Sequence, residues 1–213
     1  MAIDYQYPHA VLLIFCKTPL LGQVKTRLMS ELNAEEALAA HLELSRRILR
    51  LATKNRLCPV ELWCAPTLEH PFFAEAARTY GVRLCEQQGR DLGERMHYAL
   101  IRALCRYRCA VLIGSDCPSL TEDDLEAAIN ALDKAADAVF SPAEDGGYVL
   151  VGLNRPQPEL FAAMPWGTSA VMEVTRARLA ALGERHVELK PQWDVDTAED
   201  FARYRKLINA SED

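Results

Sequence analysis

The sequence has no C-x-x-C pair, no histidines at zinc-binding spacing, no dense basic block and no apolar run long enough to cross a bilayer. Each absence removes a class of protein. Seven cysteines are scattered, with Cys105 and Cys109 the nearest two, so a disulfide framework or zinc finger is not expected and the thiols read as reduced core residues. The formal charge of -6 and the missing basic stripe argue against a nucleic-acid surface. The first long apolar run, Ala10 to Cys16, falls far short of the roughly 20 residues of a spanning helix and follows no basic leader or cleavage site. A soluble, cytoplasmic protein with neither nucleic acid nor membrane as partner is expected. Repeats, low-complexity tracts and linkers are missing too, and 213 residues suffice for one core and hardly for two.

What is present is alternation. Ala10 to Cys16 reads as a strand, and the loop after it carries Lys17, Gly22, Lys25 and Arg27. Asn33, with Glu36 in the capping-box position, opens a helix whose Leu38, Leu42, Ser45, Leu49 and Ala52 recur at helical spacing. Val60 to Ala65 predicts a second strand, Glu69 to Tyr80 a helix and Val82 to Glu86 a third strand. Asp91 and Glu94 start a helix with Met96, Ala99, Leu100, Ala103 and Leu104 on one stripe. The next apolar run, starting at Val111, ends at Asp116, and a helix with Leu125, Ala128, Ile129 and Leu132 on one face follows. Ala138 to Phe140, a turn-rich loop over 141–147 and a strand from Tyr148 to Leu153 come next. A helix from Ser169 to Leu182, a strand from Val187 to Leu189 and a last helix beginning at Asp196 or Thr197 complete the chain. Such alternation predicts a three-layer α/β/α fold with a mostly parallel, Rossmann-like sheet.

Four stretches carry candidate chemistry. In open α/β sheets ligands bind beyond the carboxyl ends of strands, which makes Asp116 a candidate for metal or phosphate chemistry. A helix cap is the plain alternative for Asp116, but Ser119 or Thr121 with Asp124 can fill that role. Lys17, Lys25 and Arg27 in one loop with Gly22 suit a polyphosphate, although Gln23 and Val24 separate Gly22 from Lys25 where a P-loop would place Gly and Lys together. Glu144-Asp145-Gly146-Gly147-Tyr148 offers a second acid and two permissive glycines, and equally reads as a plain hairpin turn. Asp194 and Asp196 alternate and share a face in an extended segment, which suits a cation; the favoured reading is that Asp196 or Thr197 caps the last helix, with Glu199 or Asp200 completing the box. Arg46, Arg47 and Arg50, and Arg102, Arg106 and Arg108, read as solvated helix faces.

Phe15-Cys16-Lys17-Thr18-Pro19 through Lys25-Thr26-Arg27-Leu28, Asp91-Leu92-Gly93-Glu94-Arg95-Met96, Gly114-Ser115-Asp116-Cys117-Pro118, Pro142 to Tyr148 and Asp194 to Asp200 together resemble the DUF2064 family. The resemblance spans nearly the whole chain. It implies one GT-A-like nucleotide-binding domain over residues 1–213, of the nucleotide-diphospho-sugar transferase type. The first and last motifs are also similar to 2-phospho-L-lactate guanylyltransferase and the molybdenum-cofactor nucleotidyltransferases. Two departures stand out: the D-x-D of many GT-A enzymes is Asp116-Cys117-Pro118 here, and lysines and arginine replace a glycine-rich first loop.

The resemblance implies a divalent-metal-dependent transferase using Mg2+ or Mn2+, a nucleotide or nucleotide-sugar donor and a small-molecule acceptor. Glycosyl transfer is the first expectation, nucleotidyl transfer with release of pyrophosphate the second, and an inert nucleotide-binding regulator the third. Asp116 and Asp145 are the expected catalytic and metal residues. Lys17, Gly22, Lys25, Arg27, Gly146 and Gly147 are the expected nucleotide and phosphate contacts. The irregular stretch from Asn154 to Gly167, with Pro156, Pro158, Pro165 and Trp166, is the expected acceptor side.

Overall fold

Alternate residues of β1, Ala10–Lys17, go to opposite sides of a sheet: Ala10, Leu12, Ile14 and Cys16 join one apolar cluster, and Val11 and Leu13 join another. Both faces are therefore covered, and each buried Leu or Ile here contributes about 1.5–3 kcal/mol. The computed structural model describes residues 4–210. Its remaining strands are β2 (Val60–Ala65), β3 (Arg83–Glu86), β4 (Cys109–Gly114), β5 (Ala138–Pro142), β6 (Tyr148–Leu153) and β7 (His186–Glu188). They lie in the order β3-β2-β1-β4-β6-β5-β7. All pairings are parallel except those of β6, which runs against β4 on one side and β5 on the other. The fold is the α/β sandwich that the alternation predicts; the expected loop over 141–147 shortens to a β5–β6 hairpin turn over 143–147, because Ser141 and Pro142 pair with Leu150 and Tyr148 and extend β5.

The helices are α1 (Ala34–Thr53), α2 (Pro71–Tyr80), α3 (Leu92–Leu104), α4 (Glu122–Lys134), α5 (Val171–Leu182) and α6 (Ala198–Asn209). Side chains of α1, α2 and α4 fill the first cluster, and those of α3 and α5 fill the second. A third cluster joins Tyr204 of α6 and Leu44 of α1 to Leu28 of a short 3-10 turn over 26–30, and to Val195. That cluster fixes the first loop against the C-terminal segment. Among the described residues no helix is long and apolar enough to cross a membrane.

Capping boxes at Asn33 with Glu36, Thr121 with Asp124 and Thr197 with Asp200 start three helices where side-chain chemistry predicts them. Asp91 caps α3, but Glu94 turns its carboxylate to the Arg90 backbone and guanidinium instead of closing a box. Helix α2 begins at Pro71 and not Glu69, because the His70 ring accepts from the Phe72 amide and proline is preset for the first turn. Strand β4 begins two residues before Val111, since Cys109 and Ala110 pair with Ala10 and Val11. Helix α5 starts at Val171 and not Ser169, and β7 ends one residue before Leu189. The solvated-face reading also fails for Arg106. It lies beyond the end of α3, and its guanidinium donates to both carboxylate oxygens of buried Glu61 at 2.7 and 3.1 Å. A carboxylate inside the β2 strand requires such a partner. Arg108 is likewise off the helix, its amide donating to the His9 carbonyl.

Candidate functional site

The strand order reverses between β1 and β4: the chain steps from β1 outward through β2 and β3, then crosses back to β4 on the other side. Crevices at such reversals are where doubly wound sheets bind ligands. Lys17, Asp116, the 143–147 loop and the segment 189–197 all leave the sheet at this rim.

The first loop is shaped so that one of its cations turns inward. Val24 and Leu28 are buried, and Lys25 between them adopts the left-handed conformation, with φ of 50° and ψ of 39°. A non-glycine residue rarely holds that conformation without compensation. Here the compensation is visible. Lys25 Nζ donates to Asp116 Oδ2 at 2.7 Å and to the Val195 carbonyl at 2.6 Å, with Asp196 Oδ1 at 3.6 Å, and its side chain is only 7% exposed. Burial pushes the Lys25 ammonium towards neutrality, but the charges of Asp116, Asp196 and Asp194 outweigh it and hold the group above its ordinary value. Burial likewise raises Asp116, and the Lys25 charge and hydrogen bond reverse that, leaving it below the usual carboxylate range. The pair is ionised at neutral pH.

Gly114 makes room for this carboxylate, since a Cβ at that position would lie 2.8 Å from Asp116 Oδ1. Asp116 caps no helix; Thr121 does. Beneath it, His41 donates Nε2–H to the Lys17 carbonyl at 3.0 Å, and burial pushes its ring towards the neutral form. The side chain of Lys17 is exposed and makes no hydrogen bond or ion pair with a described residue. Arg27, 70% exposed, reaches Asp196 Oδ2 at 3.3 Å.

The C-terminal segment adds what sequence reasoning missed. The cap of α6 is Thr197, one of the two caps expected, with Asp200 closing the box, so Asp196 does not take that role. Asp194 makes no hydrogen bond to any described residue, yet it is largely withdrawn from solvent. Burial first, then the charges of Asp116, Asp196 and Asp145, push it up to about 7. The signal for it was the Asp194-Val195-Asp196 alternation. The segment is anchored by Ser119, whose hydroxyl donates to the Trp193 carbonyl and accepts from the Trp193 amide, both at 3.1 Å, and by the Val195 amide on the Asp116 carbonyl at 3.0 Å.

Asp145 is exposed, and its Oδ1 accepts from the Gly147 amide at 2.9 Å. Gly146, at φ 90°, passes so close to α5 that a Cβ would lie 2.2 Å from the Ser169 carbonyl oxygen, while its own carbonyl accepts from the Met172 amide. Its missing side chain is thus explained by packing. At Gly147 a Cβ would meet Asp145 Oδ1 at 3.2 Å, and Gly22 sits at φ 71° with open space around it. The fold therefore brings Lys25, Arg27, Asp116 and Asp196 into contact and puts Asp145 within electrostatic reach of Asp194. On the far side, Trp166 packs edge-on to Tyr148 and lies over Gly93, and the Trp166 Nε1 and His97 Nε2 atoms are buried without a partner among the described residues.

Three carboxylates, Asp116, Asp194 and Asp196, act on Lys25, Arg27 meets Asp196, and Asp145 adds its charge near Asp194, which has no hydrogen-bond donor among the described residues. Oxygen-only donors and surplus negative charge fit a hard divalent cation.

A doubly wound sheet with β6 reversed, and with acids and cations gathered at its switch point, defines the nucleotide-diphospho-sugar transferase class of fold. Comparison with solved structures agrees. A protein from Desulfovibrio desulfuricans G20, provisionally named a nucleotide-diphospho-sugar transferase, is similar with a TM-score of 0.80 and 28% identity over 89% of this chain and 83% of that one. The chain belongs to the DUF2064 family, described as an uncharacterized protein conserved in bacteria, whose model matches residues 48–168.

More distant likenesses show the fold alone. The 4-diphosphocytidyl-2C-methyl-D-erythritol synthase of Anaerococcus prevotii DSM 20548 has a TM-score of 0.61 at 12% identity, over 95% and 96% of the two chains. Glucosyl-3-phosphoglycerate synthase of Mycobacterium tuberculosis, solved with Mn2+, uridine diphosphate and glucosyl-3-phosphoglycerate, has a TM-score of 0.53 at 11% identity, over 92% and 75%. The curated proteins contain no match to the chain.

Proposed function

We propose that the protein is a divalent-metal-dependent transferase that uses a nucleotide-activated donor, and that it moves a glycosyl group from a nucleotide sugar to a small acceptor. The observation that carries this reading is Asp194: a half-buried acid with no hydrogen-bond donor among the described residues, under the charges of Asp116 and Asp196 at the switch point. Asp116 and Asp194 would hold Mg2+ or Mn2+, with Asp196 and Asp145 adjoining. Bound there, the ion supplies positive charge for the departing diphosphate.

The side chains of the protein do the rest. Lys25 keeps Asp116 ionised and fixed. Lys17 and Arg27, exposed on the same rim, add charge to those phosphates, and Gly22 lets the loop backbone follow them. Gly146 and Gly147 hold Asp145 at the rim, where it positions the acceptor hydroxyl or adds to the cation site. On the acceptor side, Trp166 and His97 present buried ring nitrogens suited to polar groups of a small molecule. In the transfer the acceptor hydroxyl oxygen bonds to the anomeric carbon and gives up its proton to the departing diphosphate or to water, the bond from the anomeric carbon to the phosphate oxygen breaks, and a nucleoside diphosphate departs. Electrostatic stabilisation and positioning carry the rate.

Nucleotidyl transfer is the second reading. The resemblance to the diphosphocytidyl-methylerythritol synthase, over nearly all of both chains, favours it. A thermal-shift panel of nucleoside triphosphates and nucleotide sugars, each with and without Mg2+ or Mn2+, followed by product analysis, tests both. Saturation at one hundred times the dissociation constant adds about 2.7 kcal/mol, roughly 5–10 °C for a chain of this size. A metal-dependent shift that disappears in Asp116→Asn, with nucleoside diphosphate released, is expected. Pyrophosphate release would establish the second reading, and a panel without any response would leave a binding protein without turnover.

A further inference from the structure

The opposite end of the sheet holds a different set of donors. Among the described residues, the one group of three histidine, cysteine or acidic ligand atoms lying mutually within 4.8 Å is His9, Cys109 and Asp133. They come from three elements: His9 just before β1, Cys109 as the first residue of β4 and Asp133 in the last turn of α4. We propose that this trio is a second metal site, for a borderline-soft ion of the zinc class, separate from the carboxylate site at the other rim.

Three observations carry it. His9 Nε2 is hydrogen-bonded to the two Asp133 oxygens at 2.9 and 3.0 Å, so nitrogen and oxygen need part by only a few tenths of an ångström to reach the roughly 3.3 Å between two ligands of a tetrahedral ion with bonds of about 2.0 Å. Asp133 stands at the C-terminal end of α4, where the helix dipole disfavours an anion and a neighbouring cation is stabilising. The thiol of Cys109 is brought to the same point by strand register, Ala10 pairing with Cys109, although an ion pair between His9 and Asp133 needs no sulfur.

The trio is also held in place. The Arg108 amide donates to the His9 carbonyl at 2.8 Å, and the Tyr7 hydroxyl, two residues before His9, donates to Glu126 or Asn130 of the same helix that bears Asp133. Cys109 is 2% exposed, while His9 and Asp133 are partly open, which leaves a solvent side for entry and for a water as fourth ligand. A nitrogen, a thiolate and a single carboxylate oxygen select zinc or cobalt over magnesium; the oxygen-only cluster at the other rim has the opposite preference.

The test is a Co2+ titration of the whole protein in excess Mg2+, which keeps the carboxylate rim occupied by a spectroscopically silent ion. One equivalent of Co2+ with tetrahedral visible bands and a thiolate-to-cobalt charge-transfer band, displaced by Zn2+, is expected. Cys109→Ala abolishes the charge-transfer band, and Asp133→Asn, a nearly isosteric change at a partly exposed position, weakens Co2+ binding tenfold or more. Cys58→Ala and Asp116→Asn leave the band in place, the latter separating this site from the proposed transferase site. Lack of a thiolate band in the wild type, or an unchanged band in Cys109→Ala, overturns the proposal.

Discussion

Lys25 and Asp116 stand 91 residues apart in the chain and 2.7 Å apart in the fold, and each holds the other's charge against burial. Lysine in the left-handed conformation is an uncommon arrangement, and it persists because Leu28 and Val24 pin the loop on either side. Lys25→Met leaves Asp116 uncompensated beside Asp194 and Asp196. A loss of about 2–3 kcal/mol is expected, roughly 4–10 °C in Tm. Combining it with Asp116→Asn should restore most of that loss in a double-mutant cycle by urea unfolding. A single variant as stable as the wild type would show the pair to be immaterial.

Asp194 gives a pH dependence whose sign is fixed. Its folded value of about 7 lies above its ordinary 3.8, so the folded state binds its proton more tightly than the unfolded chain does. Its contribution to stability is complete below pH 4 and is lost as pH rises through about 7. Asp194→Asn should therefore stabilise the metal-free protein at pH 8, by about 1–3 kcal/mol, and flatten its stability profile between pH 4 and 7. Urea unfolding at pH 5 and pH 8 decides it: equal effects of the substitution at both values would contradict the argument.

Metal should compete with that proton. Mn2+ affinity, read by isothermal titration in two buffers of different ionisation heat, is expected to rise with pH up to about 7 and then level off, with close to one proton released per ion at pH 6. Asp194→Asn should remove the pH dependence together with at least tenfold of the affinity. A pH-independent affinity in the wild type would place the ion elsewhere.

The glycines separate packing from conformational freedom. Gly146→Ala forces a Cβ to 2.2 Å from the Ser169 carbonyl at a φ of 90°, and a loss of about 2–4 kcal/mol is expected. Gly22→Ala meets open space and costs only the backbone preference, about 1 kcal/mol. Comparing the two unfolding midpoints checks this, and near-equal losses would refute the packing account.

The sheet and its helices were legible because each element carries its own period and most carry their own cap, as Asn33, Thr121 and Thr197 illustrate. Element starts drifted where pairing or a proline decided them, at Cys109 and Pro71. The rim acid Asp116 was legible from its place after an apolar run. Asp194 was visible as one of two alternating acids; the sequence offered Asp196 or Thr197 as the cap, and folding shows that Thr197 meets the α6 amides while Asp194 is left without a hydrogen-bond donor among the described residues. Arg106 and Glu61 escaped for a related reason: 45 residues lie between them, and neither shows locally that the other is buried beside it. Lys17, Lys25 and Arg27 looked alike in the sequence, yet one is buried and two are exposed.

The Val195 carbonyl and the Trp193–Ser119 clasp have a consequence for how the molecule comes into being. On a ribosome the β1 loop emerges early, but the oxygen that completes the ammonium's coordination belongs to a stretch synthesised 170 residues later. A nascent chain can thus assemble its central strands while its rim is still open, and Lys25 gains its full set of partners only when the Trp193–Val195 stretch docks.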